Sequence, residues 1–179
     1  MIHFCICALA GDDLLDLCLA SLRKYVQAPY APHVMYIPVN TTDPAEHGRT
    51  IDLWRTQIAK TGVIRDTDVV CVMDPDCALL SPRWEQEMRR VLNQPRVGIW
   101  GAGSPKDWGL RVHASMMAIR GELWNTSPAT FLPVGRAPWG DTGGAYCEAA
   151  DQAGWKIRHL ERGFDWPVKG AEAYWTDRN

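Results

Sequence analysis

Residues 69–80, Val-Val-Cys-Val-Met-Asp-Pro-Asp-Cys-Ala-Leu-Leu, constrain the fold more than any other stretch of this chain. Five apolar residues run without interruption into Asp74 and Asp76, and apolar residues follow. So short a run, with no polar alternation, reads as a strand buried on both faces. Such strands belong to sheets covered by helices on both sides. In open sheets of that kind, ligands bind beyond the C-terminal ends of the central strands. The acid pair therefore stands where chemistry is expected.

The rest of the chain supplies the partners such a strand needs. Residues 2–9 read as a first buried strand, and Gly11-Asp12-Asp13 breaks it and can cap a helix. From Leu14 to about Gln27, apolar residues fall at helical spacing, and Pro29 and Pro32 then stop the helix. Residues 33–39 read as a second strand, with Pro38 weakening its end, followed by a polar loop to Gly48. A second helix is predicted over 49–61, with Gly62 as its C-cap. The acid-bearing strand spans 68–73. A third helix starts at Ser81-Pro82, with Ser as N-cap, and runs to Leu92. Val97–Trp100 is a further strand.

The order β-α-β-α-β-α-β predicts a mostly parallel sheet with helices on both faces. Past Gly101 the pattern loosens. Residues 101–110 form a Gly/Pro-rich loop. Val112–Ile119 is expected to be a strand, antiparallel at the sheet edge, turned by Arg120-Gly121-Glu122. Residues 126–140 read as loop, 141–153 as a helix, and 155–160 as a last strand.

At 179 residues the chain is read as one domain. A net charge of −2 gives no electrostatic footing for nucleic acid or an anionic membrane. The N-terminal apolar run is too short to span a membrane and lacks a basic leader, so a cytoplasmic protein is expected. There are six cysteines, without CxxC or zinc spacing, and several fall in predicted buried strands. Reduced, packed thiols are the expectation.

Two carboxylates at i and i+2 beyond a strand can reach one hard cation. Oxygen-only ligands suit Mg²⁺ or Mn²⁺, which keep waters and bind phosphates. A cation held there can neutralise a departing diphosphate. The alternative is a solvated loop whose acids favour the helix beginning at Ser81.

The segment 69–80 resembles the hydrophobic DxD segment of GT-A fold glycosyltransferases. Ile2–Leu9 with Gly11-Asp12-Asp13-Leu14-Leu15 resembles their first nucleotide-binding strand and helix. Helix 49–61 stands where those enzymes place the helix leading to the DxD strand, and 112–119 resembles the strand after it. Trp139-Gly140-Asp141-Thr142-Gly143-Gly144, then a helix, Gly154 and Trp155-Lys156-Ile157, resembles their late segment. The resemblance covers roughly 2–160 and implies a GT-A-like (Rossmann-like) mixed sheet. Residues 1–100 would be the nucleotide-sugar-binding half, 101–160 the acceptor half, and 161–179 an irregular tail.

It further implies a nucleotide-sugar donor, such as a UDP-sugar, and an unspecified acceptor. A divalent Mn²⁺ or Mg²⁺ would sit on Asp76, with Asp74 assisting or holding the ribose. Ala8 and Leu9, ending the first strand, would lie beside the nucleotide. Arg49 or Arg55 could meet the diphosphate, the other reading being a solvated helix face. Asp141 could bind the acceptor or act as general base, or serve as a helix N-cap. His159 would be a third metal ligand, or a structural strand-end residue. His113 and Ser115 could face the acceptor, or simply follow strand alternation. Trp166 and Trp175 could stack on a sugar or pin the tail.

Two rival readings remain. One is a degenerate GT-A-like domain that binds nucleotide without turnover, motivated by the short C-terminal half. The other is a HAD-type phosphatase, with Asp74 as nucleophile and Asp76 as acid/base. That motif normally lies on the first strand, and no clear downstream acidic pair accompanies it here.

Overall fold

A computed structural model describes residues 1–37, 43, 45–103, 112–133 and 142–160, and the backbone of 172–174. Six strands form one sheet: β1 (Ile2–Leu9), β2 (Tyr30–Ile37), β3 (Val69–Met73), β5 (Val97–Gly101), β6 (Met116–Arg120) and β7 (Lys156–His159). Their order is β2-β1-β3-β6-β5-β7. β4 (Cys77–Leu79) pairs in parallel with β8 (Glu172–Tyr174) as a separate two-stranded ribbon. The helices are α1 (Asp13–Tyr25), α2 (Glu46–Ala59), α3 (Arg83–Leu92), α4 (Gly121–Thr126) and α5 (Gly144–Gln152).

The predicted strand buried on both faces is present. All five residues of β3 are buried, as are the first seven of β1. Alternate residues feed two cores. Ile2, Phe4, Ile6, Cys71 and Met73 pack with α1 and α3, around Cys18, Leu22, Trp84 and Met88. Cys5, Cys7, Val70 and Val72 pack on the other face with α2, α4 and α5, around Ile51, Trp54, Trp124 and Tyr146. This is the period-2 alternation of a strand sandwiched between helix layers. All six cysteines are free and buried, as expected.

β2 begins at Tyr30, earlier than predicted, and includes Pro32. It is an edge strand bonded only to β1, so a proline without an N–H is tolerated there. Residues 38 and 39 of that predicted strand lie outside the described residues. Asp12 caps α1, its carboxylate accepting from the Leu14 amide at 3.0 Å.

Two expectations are corrected. β6 is antiparallel but lies inside the sheet, between β3 and β5. Its Met116-Met117-Ala118-Ile119 run is buried on both sides, which an edge would not require. The predicted turn at 120–122 is instead the start of α4. Gly121 is needed there for close approach: a Cβ would lie 2.1 Å from the Arg65 carbonyl oxygen. The apolar residues after the acid pair form β4, ahead of α3.

Among the described residues, no helix is long and apolar enough to cross a membrane.

Candidate functional site

β1 and β3 run parallel, with Ile6 level with Met73. Asp74, the next residue after β3, therefore leaves the sheet beside Cys7, where β1 runs on against β2. After Met73 the chain turns: the Cys77 amide donates to the Asp74 carbonyl at 3.1 Å, with Pro75 and Asp76 between. Proline suits the first central position of such a turn. The turn is tied to the sheet by the Asp74 amide, which donates to the Ser115 carbonyl at 3.1 Å. Because β6 is antiparallel to β3, its beginning lies at the end of β3. That places His113 and Ser115 beside the acid turn. His113 Nδ1 receives the Ser115 amide at 3.1 Å and lies 2.7 Å from Ser115 Oγ.

The second position of α2 brings in a residue that sequence reasoning passed over. His47 Nε2 lies 3.4 Å from Asp74 Oδ1, and its ring sits beside Cys7. Burial works against protonation of this imidazole, but the Cys7 thiol and the Asp74 carboxylate outweigh it, raising His47 above its ordinary value. Cys7, paired with Cys5 and His47, is held below the usual thiol range. Nothing in the spacing of His47 singles it out; it is found only because loops at strand ends converge.

The charges of the turn are felt at a buried thiol beside it. Cys18, packed beneath it, is pushed up to about 12 by burial and then by the charges of Asp76, Asp74 and Asp12. Three carboxylates thus create a negative potential at one point. Asp76 Oδ1 also lies 3.7 Å from Cys77 Sγ. Among the described residues, no group of three or more His, Cys, Asp or Glu side chains is placed to hold a metal. A hard cation that keeps its waters and shares a phosphate needs only one or two protein carboxylates. Asp74 and Asp76, half-buried oxygen donors on one turn, fit that requirement.

The other predicted site residues distribute unevenly. Ala8 is buried, and Leu9, 47% exposed, ends β1 on the same edge as the acids. Arg49 is exposed and ion-paired with Asp43, at 2.7 Å, and with Glu46. Arg55 is engaged by the 124–129 backbone. Its guanidinium donates to the carbonyls of Trp124 (2.9 Å), Ala129 (2.6 Å) and Ser127, and lies over the Trp124 and Tyr146 rings. It borders a groove of about 540 Å³ between α2 and the 124–130 segment. His159 ends β7, three strands from β3, or about 14 Å along the sheet at ordinary strand spacing. The structure does not bring it to the acid pair. Asp141, Trp166 and Trp175 lie outside the described residues.

A mixed, mostly parallel six-stranded sheet with helices on both faces defines a GT-A-like, Rossmann-like α/β fold. Two solved structures share it. The mannosyltransferase PcManGT from Pyrobaculum calidifontis, solved in complex with GDP-Man and Mn²⁺, matches with a TM-score of 0.56 and 14% identity, over 97% of this chain and 56% of its own. A 4-diphosphocytidyl-2C-methyl-D-erythritol synthase matches with a TM-score of 0.55 and 13% identity, over 90% of this chain and 89% of its own. This chain thus spans little more than half of the mannosyltransferase, and at these identities the likeness establishes the fold alone. No family model and no curated protein matches the chain.

Proposed function

We propose that this chain transfers a sugar from a nucleotide-diphosphate sugar to an acceptor, with Mn²⁺ or Mg²⁺ held by Asp74 and Asp76. One observation carries the reading: two carboxylates share a turn at the C-terminal end of a central strand, tied to the neighbouring strand entry at Ser115. A bound divalent cation would supply charge neutralisation for the leaving diphosphate. The chain's own residues bind and orient. Ala8 and Leu9 end the strand beside the turn and form the floor for the nucleotide. Asp74 and Asp76 set where the diphosphate must lie. His113 and Ser115, fixed to each other, stand where an acceptor hydroxyl would approach, and Asp141 is the proposed acceptor-binding acid or base. Alignment of donor and acceptor in one crevice supplies much of the rate enhancement. Support comes from a fold neighbour solved with GDP-Man and Mn²⁺. Six buried free thiols suit a reducing compartment, and we place the activity in the cytoplasm.

A second reading is nucleotidyl transfer. It is favoured by coverage: the synthase is matched over 89% of its length, the mannosyltransferase over 56% of its own. Product analysis separates the two. Sugar transfer or donor hydrolysis releases a nucleoside diphosphate from a sugar nucleotide. Nucleotidyl transfer releases pyrophosphate from a nucleoside triphosphate. Binding of Mn²⁺ and nucleotide with neither product would identify a domain that binds without turnover.

A further inference from the structure

We propose that β2 joins two copies of this chain in a symmetric dimer: its outer edge pairs antiparallel with the same edge of a second copy, so that two six-stranded sheets become one continuous sheet. The proposal stands apart from the donor-site assignment and does not depend on it.

The two edges of the sheet differ. β2 and β7 each have a single strand neighbour. β7 is four residues long, and Lys156 and Arg158 stand exposed on it. A short, charged edge strand is how sheets ordinarily resist pairing with another chain. β2 is eight residues long, Tyr-Ala-Pro-His-Val-Met-Tyr-Ile, and holds no Asp, Glu, Lys or Arg. Such an edge sets no fixed charge against a copy of itself.

The backbone defines the register. The Ile2 amide donates to the Pro29 carbonyl at 3.0 Å, and Ile2 stands level with Tyr30. In a parallel ladder alternate residues turn amide and carbonyl to the same neighbour. The odd-numbered residues of β2 therefore bond β1, and Tyr30, Pro32, Val34 and Tyr36 turn theirs outward. A two-fold axis between the His33 residues of the two copies sets Tyr30 opposite Tyr36 and Pro32 opposite Val34. Tyr30 and Tyr36 then exchange bonds in both directions, and Pro32 accepts from Val34. Every outward residue has a partner. An axis at Val34 would instead leave Tyr30 beyond the end of the opposing strand.

The side chains point to the same axis independently. Tyr36 (61% exposed) and Leu53 (60%) are the most exposed large apolar side chains among the described residues. In the proposed register Tyr36 lies beside Tyr30 of the second copy, a cross-strand aromatic pair. On α2, Ile51 and Trp54 face the core, and Asp52, Arg55, Thr56 and Ala59 line the groove toward 124–130. At about 100° per residue, Leu53 falls on the opposite flank, over the outer edge of β2. Trp54, its neighbour, packs on His33 with ring centroids 5.0 Å apart, which sets Leu53 level with the axis. α2 rests over β1 and β2. Its copy would run about 10 Å away, two strand spacings, the distance at which helices pack. Leu53 then meets Leu53 of the second copy.

The test is sedimentation velocity from low to high micromolar concentration, with a circular dichroism spectrum of each protein. Wild type is expected at about 40 kDa, twice the 20.1 kDa of one chain. Tyr36→Lys and Leu53→Lys, at exposed positions on different elements, should keep the native spectrum and sediment near 20.1 kDa. Leu17→Lys is the control. Leu17 is 55% exposed and one turn from Ser21, whose hydroxyl receives the Leu79 amide, so it lies on the β4 side of α1. That variant should remain at the dimer mass. Should one lysine variant lose the native spectrum, the other decides. Wild type at the mass of one chain at every concentration overturns the proposal. So does a dimer that survives the lysine variants at positions 36 and 53, or one lost equally in Leu17→Lys.

Discussion

The backbone amide of Asp74 donates to the carbonyl of Ser115 at 3.1 Å, so the acid turn is held by a residue 41 positions further along the chain, at the entry to a strand antiparallel to its own. The tie exists because β6 is the strand that pairs with β3.

Loss of Asp76 should abolish cation-dependent stabilisation. A ligand at 100 times its dissociation constant stabilises by about 2.7 kcal/mol, or roughly 5–10 °C in a domain of this size. Differential scanning fluorimetry with Mn²⁺ and UDP or GDP should show a shift of that order in wild type and none in Asp76→Ala. An equal shift in both would exclude Asp76 from the cation site.

Gly101→Ala should destabilise the sheet where it meets the site. A Cβ there would lie 2.1 Å from the Met116 carbonyl oxygen and 2.8 Å from Val112 Cγ1. The first is backbone of the neighbouring strand and cannot rotate away, so a loss of about 1–3 kcal/mol is expected, as for overpacked cores. Urea unfolding reads it as a lower midpoint. A wild-type midpoint would show that β5 and β6 can separate without cost.

Glu85 ties α3 to the turn after α1. Its carboxylate accepts from the amides of Gln27 (2.8 Å) and Ala28 (3.0 Å) and from Arg89 Nε (2.9 Å). Burial alone would raise its pKa, but these donors hold it below the ordinary 4.5. Its contribution is therefore present above about pH 4.5 and lost as the pH falls through the lower folded value. Glu85→Ala strands two amides and should cost about 2–4 kcal/mol at pH 7, measured by chemical denaturation. The deficit should shrink in acid.

His3 and His33 should make the fold acid-sensitive. His3 Nδ1 lies 3.2 Å from His33 Nε2, and both imidazoles are lowered from 6.5, first by burial. The unfolded chain takes up protons near 6.5 and the folded chain only below it. Stability is thus complete above that value and falls as the pH drops. His47, raised, acts in the opposite sense. The measurement is accordingly the difference between wild type and His33→Gln in urea unfolding at pH 7.5 and 5.5. The variant should lose less on acidification; an equal loss would exclude the pair as the source.

Thiol labelling should follow burial and charge. Burial pushes the Cys71 and Cys5 thiols well above the ordinary range, and Cys18 to about 12. Native protein should react slowly with an aromatic disulfide reagent, Cys7 first, and yield six equivalents only in denaturant. Rapid native labelling at Cys18 or Cys71 would contradict the packing.

Much of the framework was legible because it is local. β1 and β3 announce themselves as apolar runs, α1 by its 3.6-residue spacing and Asp12 cap, and the acid pair by its place beyond β3. What could not be read was anything fixed by pairing. The 116–119 run is equally apolar for an edge or an interior strand, and only its two neighbours distinguish them. Arg49 and Arg55 are alike as cations on one helix. One is occupied by Asp43 and Glu46 and the other by carbonyls 69 or more residues away.

The sequence by itself determined a helix-covered sheet with two acids at the end of its most apolar strand. Side-chain periodicity and apolar runs act over a few residues and survive in the chain as written. The tertiary structure alone decided that β6 enters the sheet beside β3, that Ser115 pins the acid turn, and that His47 faces Asp74 from α2. Those relations join residues 27 to 51 positions apart, and the register between packed elements carries no mark in local composition.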